Sequence, residues 1–335
     1  MEKTPSRNTQ IDCAKGALII LVVFGHLLEV FISSSATYTA IFSGIYVFHM
    51  PLFVFIAGMF SKSLLGDREY SAIFSRLLLP LVFFQAVYLL PRWAIRGTLL
   101  APLLEPYWML WFLLSLVQWK LALPLFTRMP FALPVSIALA ILAGFDSRIG
   151  YEFSLSRSIY FFPFFLAGHL YGHLLVALIA RRRVLFMLVF LMTVAGIACW
   201  SFNGLDHYTL YGNRSYAEAT VLTDAPATGR LLLLGLSFIG SLGFLAWIPA
   251  KSALLSFIGQ RTMAIFILHG FFLMVFAKLV ARFHVLPSLP LLPVLLLLAV
   301  VVASLLAPTD AWLNRVFSGV GAWLTKKARL VSHPA

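Results

Sequence analysis

The chain has 335 residues, of which 61% are hydrophobic and only 11% charged, with a mean hydropathy of +0.95. A soluble domain carries about 25% charged residues, so this balance excludes a soluble protein and points to an integral membrane protein. The net charge of +13 is scattered through short loops between apolar runs, which sets orientation and lipid contact rather than building a nucleic-acid-binding face.

Apolar runs of about 17–25 residues cross a bilayer as helices. About ten are predicted, roughly 11–32, 40–60, 77–95, 107–126, 131–146, 158–179, 184–202, 230–249, 254–280 and 289–307. The expected fold is therefore an all-α integral membrane protein, a single polytopic bundle of about ten transmembrane helices. The fifth run is short and the third is interrupted by Pro80 and Pro91, so the count can shift by about one. Residues 1–10 read as a cytoplasmic N-terminal segment, 11–307 as the transmembrane domain and 308–335 as a basic cytoplasmic tail. The longest loop, 203–229, is polar and is expected to cover one face. The first span has a basic start and small residues at Ser33 to Ala36. Its apolar part exceeds the roughly 7–15 residues of a signal peptide and contains His26, so a retained span is expected. With the N-terminus inside, sixteen lysines and arginines fall on the cytoplasmic side against seven outside, which places both termini in the cytoplasm. Cys13 and Cys199 lie in or beside apolar spans and imply no disulfide framework.

The first span carries Asp12, Lys15 and His26. At about 100° per residue, the eleven steps from Lys15 to His26 bring both to one helix face, about 16 Å apart along the axis. An ionisable pair that deep in an apolar segment is costly and marks a functional site by default. The second span holds Phe48-His49-Met50-Pro51, where Pro51 frees the Val47 carbonyl and is expected to bend the helix. Trp108 and Trp111 open the fourth span and suit either a sugar-stacking face or an interfacial belt. In the sixth, His169 and His173 have a metal-pair spacing, but no carboxylate or cysteine lies near them in sequence, so no metal site is expected. Phe161, Phe162, Phe164 and Phe165 read as packing residues, and Arg181 to Arg183 as an inside anchor. The ninth span centres on His269, with Gly259-Gln260-Arg261-Thr262 at its inner end. A lone membrane histidine also serves simply to bond a neighbouring helix, at a gain of about 0.6 kcal/mol. Three on separate helices converge only if the bundle interior is polar.

Taken in order, Asp12-x-x-Lys15-Gly16, ten further residues from Lys15 to His26, Phe48-His49-Met50-Pro51-Leu52-Phe53 and Ala57-Gly58 resemble the membrane-bound acyltransferase-3 family. Trp111-Phe112-Leu113, Tyr160 to Phe165 with Gly168, and Gly259 to Thr262 followed by Leu268-His269 resemble its fucose 4-O-acetylase branch. Lys15 stands where the family usually has arginine, a point charge in place of a planar fork. The resemblance implies an O-acyltransferase of the inner (cytoplasmic) membrane. It would move an acyl group, commonly acetyl, from cytoplasmic acyl-CoA to a hydroxyl of an extracytoplasmic sugar or glycan. Acetyl-CoA would be a donor substrate, with no permanently bound cofactor. His26 would be catalytic, as general base or as acyl acceptor, with Asp12 pairing Lys15. Lys15, Arg76 and Arg261 are the cations placed to meet coenzyme A phosphates. His49, Arg157, Trp111 and His269 are candidates for the sugar pocket. A proton-coupled transporter or a non-catalytic membrane subunit would also suit ten helices with buried histidines, although carriers often show two matching halves and none is detectable here.

Overall fold

The computed structural model describes residues 8–96, 105–219 and 221–332, and these are helical with no strand among them. The helices are α1 (Thr9–Glu29), α2 (Ala36–Tyr46), α3 (His49–Met59), α4 (Asp67–Ile73), α5 (Leu79–Arg96), α6 (Trp111–Phe126) and α7 (Ala132–Leu142). They continue as α8 (Leu155–Arg181), α9 (Arg183–Phe202), α10 (Pro226–Trp247), α11 (Ala253–Gly259), α12 (Thr262–Arg282), α13 (Leu291–Leu306) and α14 (Thr309–Ser332). Among the described residues, eight segments are long and apolar enough to cross a membrane, or nine with α13 and the first part of α14 as one span bent by 45°. The sequence-based count of ten is corrected at the fifth run. Its helical segment, Ala132–Phe145, is too short, because a bilayer core of about 30 Å needs about 20 residues at 1.5 Å each. Of the basic residues counted for orientation, Lys3 and Arg7 lie outside the described residues.

At the centre is α1, whose middle is buried on nearly every side. Asn8 caps its start, accepting the Gln10 and Ile11 backbone N–H groups. The helix stops at Glu29 and a turn of 3₁₀ helix, Ile32–Ser34, leads into α2.

The second span is broken, as Pro51 predicts. The break falls at Val47 and Phe48, which puts Pro51 in the first turn of α3, where its missing N–H costs nothing. Ser241 of α10 donates to the Phe48 carbonyl at 3.2 Å, so part of the backbone exposed by the break is satisfied from a neighbouring helix. In the third span, Pro80 is preceded by a π-helical stretch, Phe74–Leu78, which absorbs the missing bond without ending the span.

Two helix pairs approach backbone to backbone. A Cβ on Gly16 would lie 2.0 Å from the Leu255 carbonyl oxygen, and one on Gly259 would lie 1.8 Å from that of Asp12, so α1 and α11 touch through paired glycines. Gly58 and Gly168 do the same for α3 and α8, each facing a carbonyl of the other helix. Small residues at the crossing permit this approach in a membrane.

The loop after α9 folds over one end of the bundle. Arg230 holds it, donating to the carbonyls of Ala140 at 3.1 Å and Arg214 at 2.7 Å, with its guanidinium 4.5 Å from the Tyr216 ring centre. The segment expected as a tail forms α14, which packs Phe317 on Phe83 and Phe84 and caps the start of α12 through Asp310 and the Ala264 N–H.

Candidate active site

Beneath that loop lies a cavity of about 380 Å³. Its polar and charged lining includes His26, Glu29, His49, Glu105, Arg157 and Asn213. Its aromatic lining includes Tyr46, Tyr107, Trp108, Trp111, Tyr151, Phe161, Tyr208 and Tyr211. The size falls in the range of about 300–1,000 Å³ typical of small-molecule sites.

His26 sits in the last turn of α1 with its side chain 14% exposed. Its Nδ1–H donates to Glu29 Oε2 at 2.9 Å, three residues on along the same face. Tyr211, from the covering loop, donates its hydroxyl to the other Glu29 oxygen at 2.7 Å. Glu29 therefore accepts at both oxygens and fixes the ring, which leaves His26 Nε2 as the nitrogen with a lone pair. Burial, and then the Glu29 carboxylate, hold the Tyr211 phenol well above its usual range, so it remains a donor. The Tyr46 phenol oxygen lies 3.5 Å from the same His26 nitrogen.

The His26 ring is framed by two others. Trp108 meets it edge-on at 5.0 Å, and His269 stacks on it at 5.5 Å and 29°. Trp108 takes a φ of 39°, in the left-handed region, which costs of order 1–2 kcal/mol for a non-glycine residue and is a feature of positions held for a site.

The other two histidines are fixed by their own helices. His49 Nδ1–H donates to the Ile45 carbonyl at 3.0 Å, and His269 Nδ1–H to the Ile265 carbonyl at 2.9 Å. Each then presents Nε2 as an acceptor. His49 lines the cavity, whereas His269 is fully buried behind His26, with its Nε2 unpartnered. Arg157 reaches the cavity from α8, its guanidinium 5.1 Å from the Trp111 ring centre and 5.9 Å from that of Tyr151.

Of the residues expected for the sugar pocket, His49, Arg157 and Trp111 thus share one cavity with His26, and His269 stands directly behind it. Glu29, Tyr107, Tyr208, Tyr211 and Asn213 were not read from sequence as site residues. Only Glu29 carried a usable signal, a carboxylate one turn from His26.

Lys15 occupies a second, apolar cavity of about 280 Å³ at the other end of α1, with Phe53, Ile56, Phe60, Leu77, Phe112 and Met263 among its walls. Lys15 Nζ lies 3.7 Å from Asp12 Oδ1, and Gln260 donates to Asp12 Oδ2 at 3.5 Å. Two of the three expected phosphate cations are elsewhere. Arg76 is exposed on the π-helical stretch and Arg261 folds back to the Phe257 carbonyl at 2.9 Å, so neither lines the Lys15 cavity. His169 Nδ1–H donates to the Ser61 carbonyl at 3.0 Å, and no cluster of three metal-ligating side chains occurs among the described residues.

A family model described as an acyltransferase domain matches residues 8–308. Nodulation protein NolL of Mesorhizobium japonicum is 26% identical over 260 residues, which make up 71% of this chain and 65% of the relative. Nodulation protein NolL of Sinorhizobium fredii is 35% identical over 127 residues, 33% of this chain and 35% of the relative. The match thus spans less than two thirds of the length of either relative. No solved structure matches the chain.

Proposed function

The chain belongs to the acyltransferase-3 family, and from that premise we propose that it is a membrane acyltransferase that moves an acetyl group from acetyl-CoA to a sugar hydroxyl. The His26 cavity takes the acceptor, a sugar or the terminal residue of a glycan. The Lys15 cavity takes the donor. What carries this reading is the Tyr211–Glu29–His26 chain of hydrogen bonds, which leaves Nε2 as the lone-pair nitrogen of a histidine that lines an aromatic, polar cavity.

In the proposed step, the acceptor hydroxyl gives its proton to His26 Nε2 as its oxygen attacks the thioester carbonyl. The carbon–sulfur bond breaks, the ester bond forms, and the proton passes from His26 to the departing coenzyme A sulfur. Glu29 supports the imidazolium that exists between the two transfers, as a carboxylate does in other histidine-based acyl transfers. Flat aromatic walls suit the apolar faces of a pyranose ring, and the acceptor nitrogen of His49 and the guanidinium of Arg157 suit its hydroxyls. Lys15 offers a single positive charge to the coenzyme A phosphates. Charge counting puts the Lys15 end in the cytoplasm and the covering loop outside.

The test is His26→Ala in purified protein supplied with labelled acetyl-CoA and a panel of monosaccharides and glycans. Transfer is expected to fall by about 10²–10⁴-fold at equal expression and unchanged thermal stability. Turnover within about twofold of wild type would remove His26 as the base.

A further inference from the structure

The two cavities share three wall residues, Val22, Met50 and Phe266. Each is tied to one of the three membrane histidines. Val22 lies one turn before His26 on α1, Met50 directly follows His49 on α3, and Phe266 lies three residues before His269 on α12. Val22 and Phe266 are buried, and Phe266 leans on Phe112, a wall of the Lys15 cavity, with ring centres 5.5 Å apart. A thioester held on the Lys15 side must present its carbonyl to His26 through this partition.

We propose that Val22, Met50 and Phe266 form the acyl-size filter of the enzyme, restricting transfer to acetyl and the next shortest acyl groups. This rests on the donor and acceptor assignment made above. Val22 is four residues below His26, about 6 Å along the axis, so a carbonyl level with the partition lies within one turn of the base. The acyl carbons must occupy space that these three side chains fill. An acetyl methyl needs the least displacement, and each further methylene must push aside packed apolar groups. A hydrophobic site discriminates by about 10–200-fold per methylene. Met50 is the element that yields, because its unbranched side chain has three soft torsions, unlike Val22 or Phe266. The transfer itself is the balanced step given above, in which the acyl carbon leaves sulfur for the acceptor oxygen and the hydroxyl proton ends on the thiol.

The experiment compares acetyl-, propionyl-, butyryl- and hexanoyl-CoA as donors for the wild type and for Val22→Ala, Met50→Ala and Met50→Phe. Met50→Val, a milder cut, covers the case in which Met50→Ala does not fold. The wild type is expected to favour acetyl over butyryl by at least about 100-fold in kcat/KM. Either alanine variant should raise the butyryl-to-acetyl ratio by about tenfold or more, and Met50→Phe should lower it. An unchanged ratio in folded Val22→Ala and Met50→Ala proteins that still transfer acetyl overturns the filter and leaves the acyl-transfer reading standing. A wild type that transfers from none of the four donors overturns that reading and the filter with it.

Discussion

At the scale of single residues, the proposed chemistry turns on which ring nitrogen of His26 carries the proton. Glu29 settles this by accepting from Nδ1, and Tyr211 holds Glu29 in turn. Glu29→Gln keeps the shape but offers an amide that can turn its NH₂ toward the ring, which selects the wrong tautomer. It is expected to lower kcat by about 10² or more with little change in KM for acetyl-CoA. Tyr211→Phe removes one hydrogen bond to a charged group, worth about 1.5–3 kcal/mol, and should cost roughly tenfold or more in kcat. Steady-state kinetics on both variants check the pair, and a KM effect without a kcat effect would move Glu29 and Tyr211 from orienting His26 to binding donor. His26, His49, Arg157 and Trp111, which line one cavity, stood out in the sequence as candidates because a titratable or amphipathic group inside an apolar run has few structural reasons to be there. Glu29 was less so, because a carboxylate at the end of a span also reads as an interfacial residue. Tyr211 was not legible at all. It reaches the site from a loop 182 positions away, and no periodicity in the sequence encodes where a loop docks. That Arg76 and Arg261 stand away from the walls of the Lys15 cavity was hidden for the converse reason, since charge at a helix end is visible in sequence but the direction of its side chain is not.

At the scale of elements, the positions of α1 and α3, which carry His26 and His49, rest on two glycine-paired crossings. Adding a methyl at Gly259 drives it into the Asp12 carbonyl of α1, and one at Gly58 meets the Phe165 carbonyl of α8. Overpacking of this kind costs about 1–3 kcal/mol. Gly259→Ala and Gly58→Ala are therefore expected to lower the Tm in detergent by several degrees. Gly235→Ala, with open space around its Cβ position, should not. A Tm for Gly259→Ala equal to that of the Gly235 control would show that α1 and α11 can separate freely. The spans themselves were readable from apolar length, including the break forced by Pro51. The fifth run was the exception, because its apolar residues sit on a helix too short to cross.

At the scale of the whole molecule, the proposal requires donor and acceptor to work from opposite faces. Single cysteines replacing Thr223, in the loop over the His26 cavity, and Ala253, at the start of α11, sit at exposed positions. In a background with Cys13 and Cys199 replaced, they should react with an impermeant maleimide from opposite sides of sealed vesicles. Acetyl-CoA added on the Ala253 side should then modify acceptor confined to the Thr223 side. Labelling of both from one side would remove the transmembrane route.

The partition at Val22, Met50 and Phe266 also has a consequence for bioenergetics. On the proposed route, an acyl group that crosses it outward is formally an acylium, and the proton that returns to the thiol crosses inward. The two charges cancel, so a full turnover displaces no net charge across the membrane. A displaced charge would couple the reaction to the membrane potential by about 2.3 kcal/mol per 100 mV. Turnover in proteoliposomes clamped with potassium and valinomycin should therefore be the same at either polarity, and a steep voltage dependence would mean that the proton takes a different exit. On this account acylation outside the cell continues in a de-energised membrane for as long as the thioester pool inside lasts.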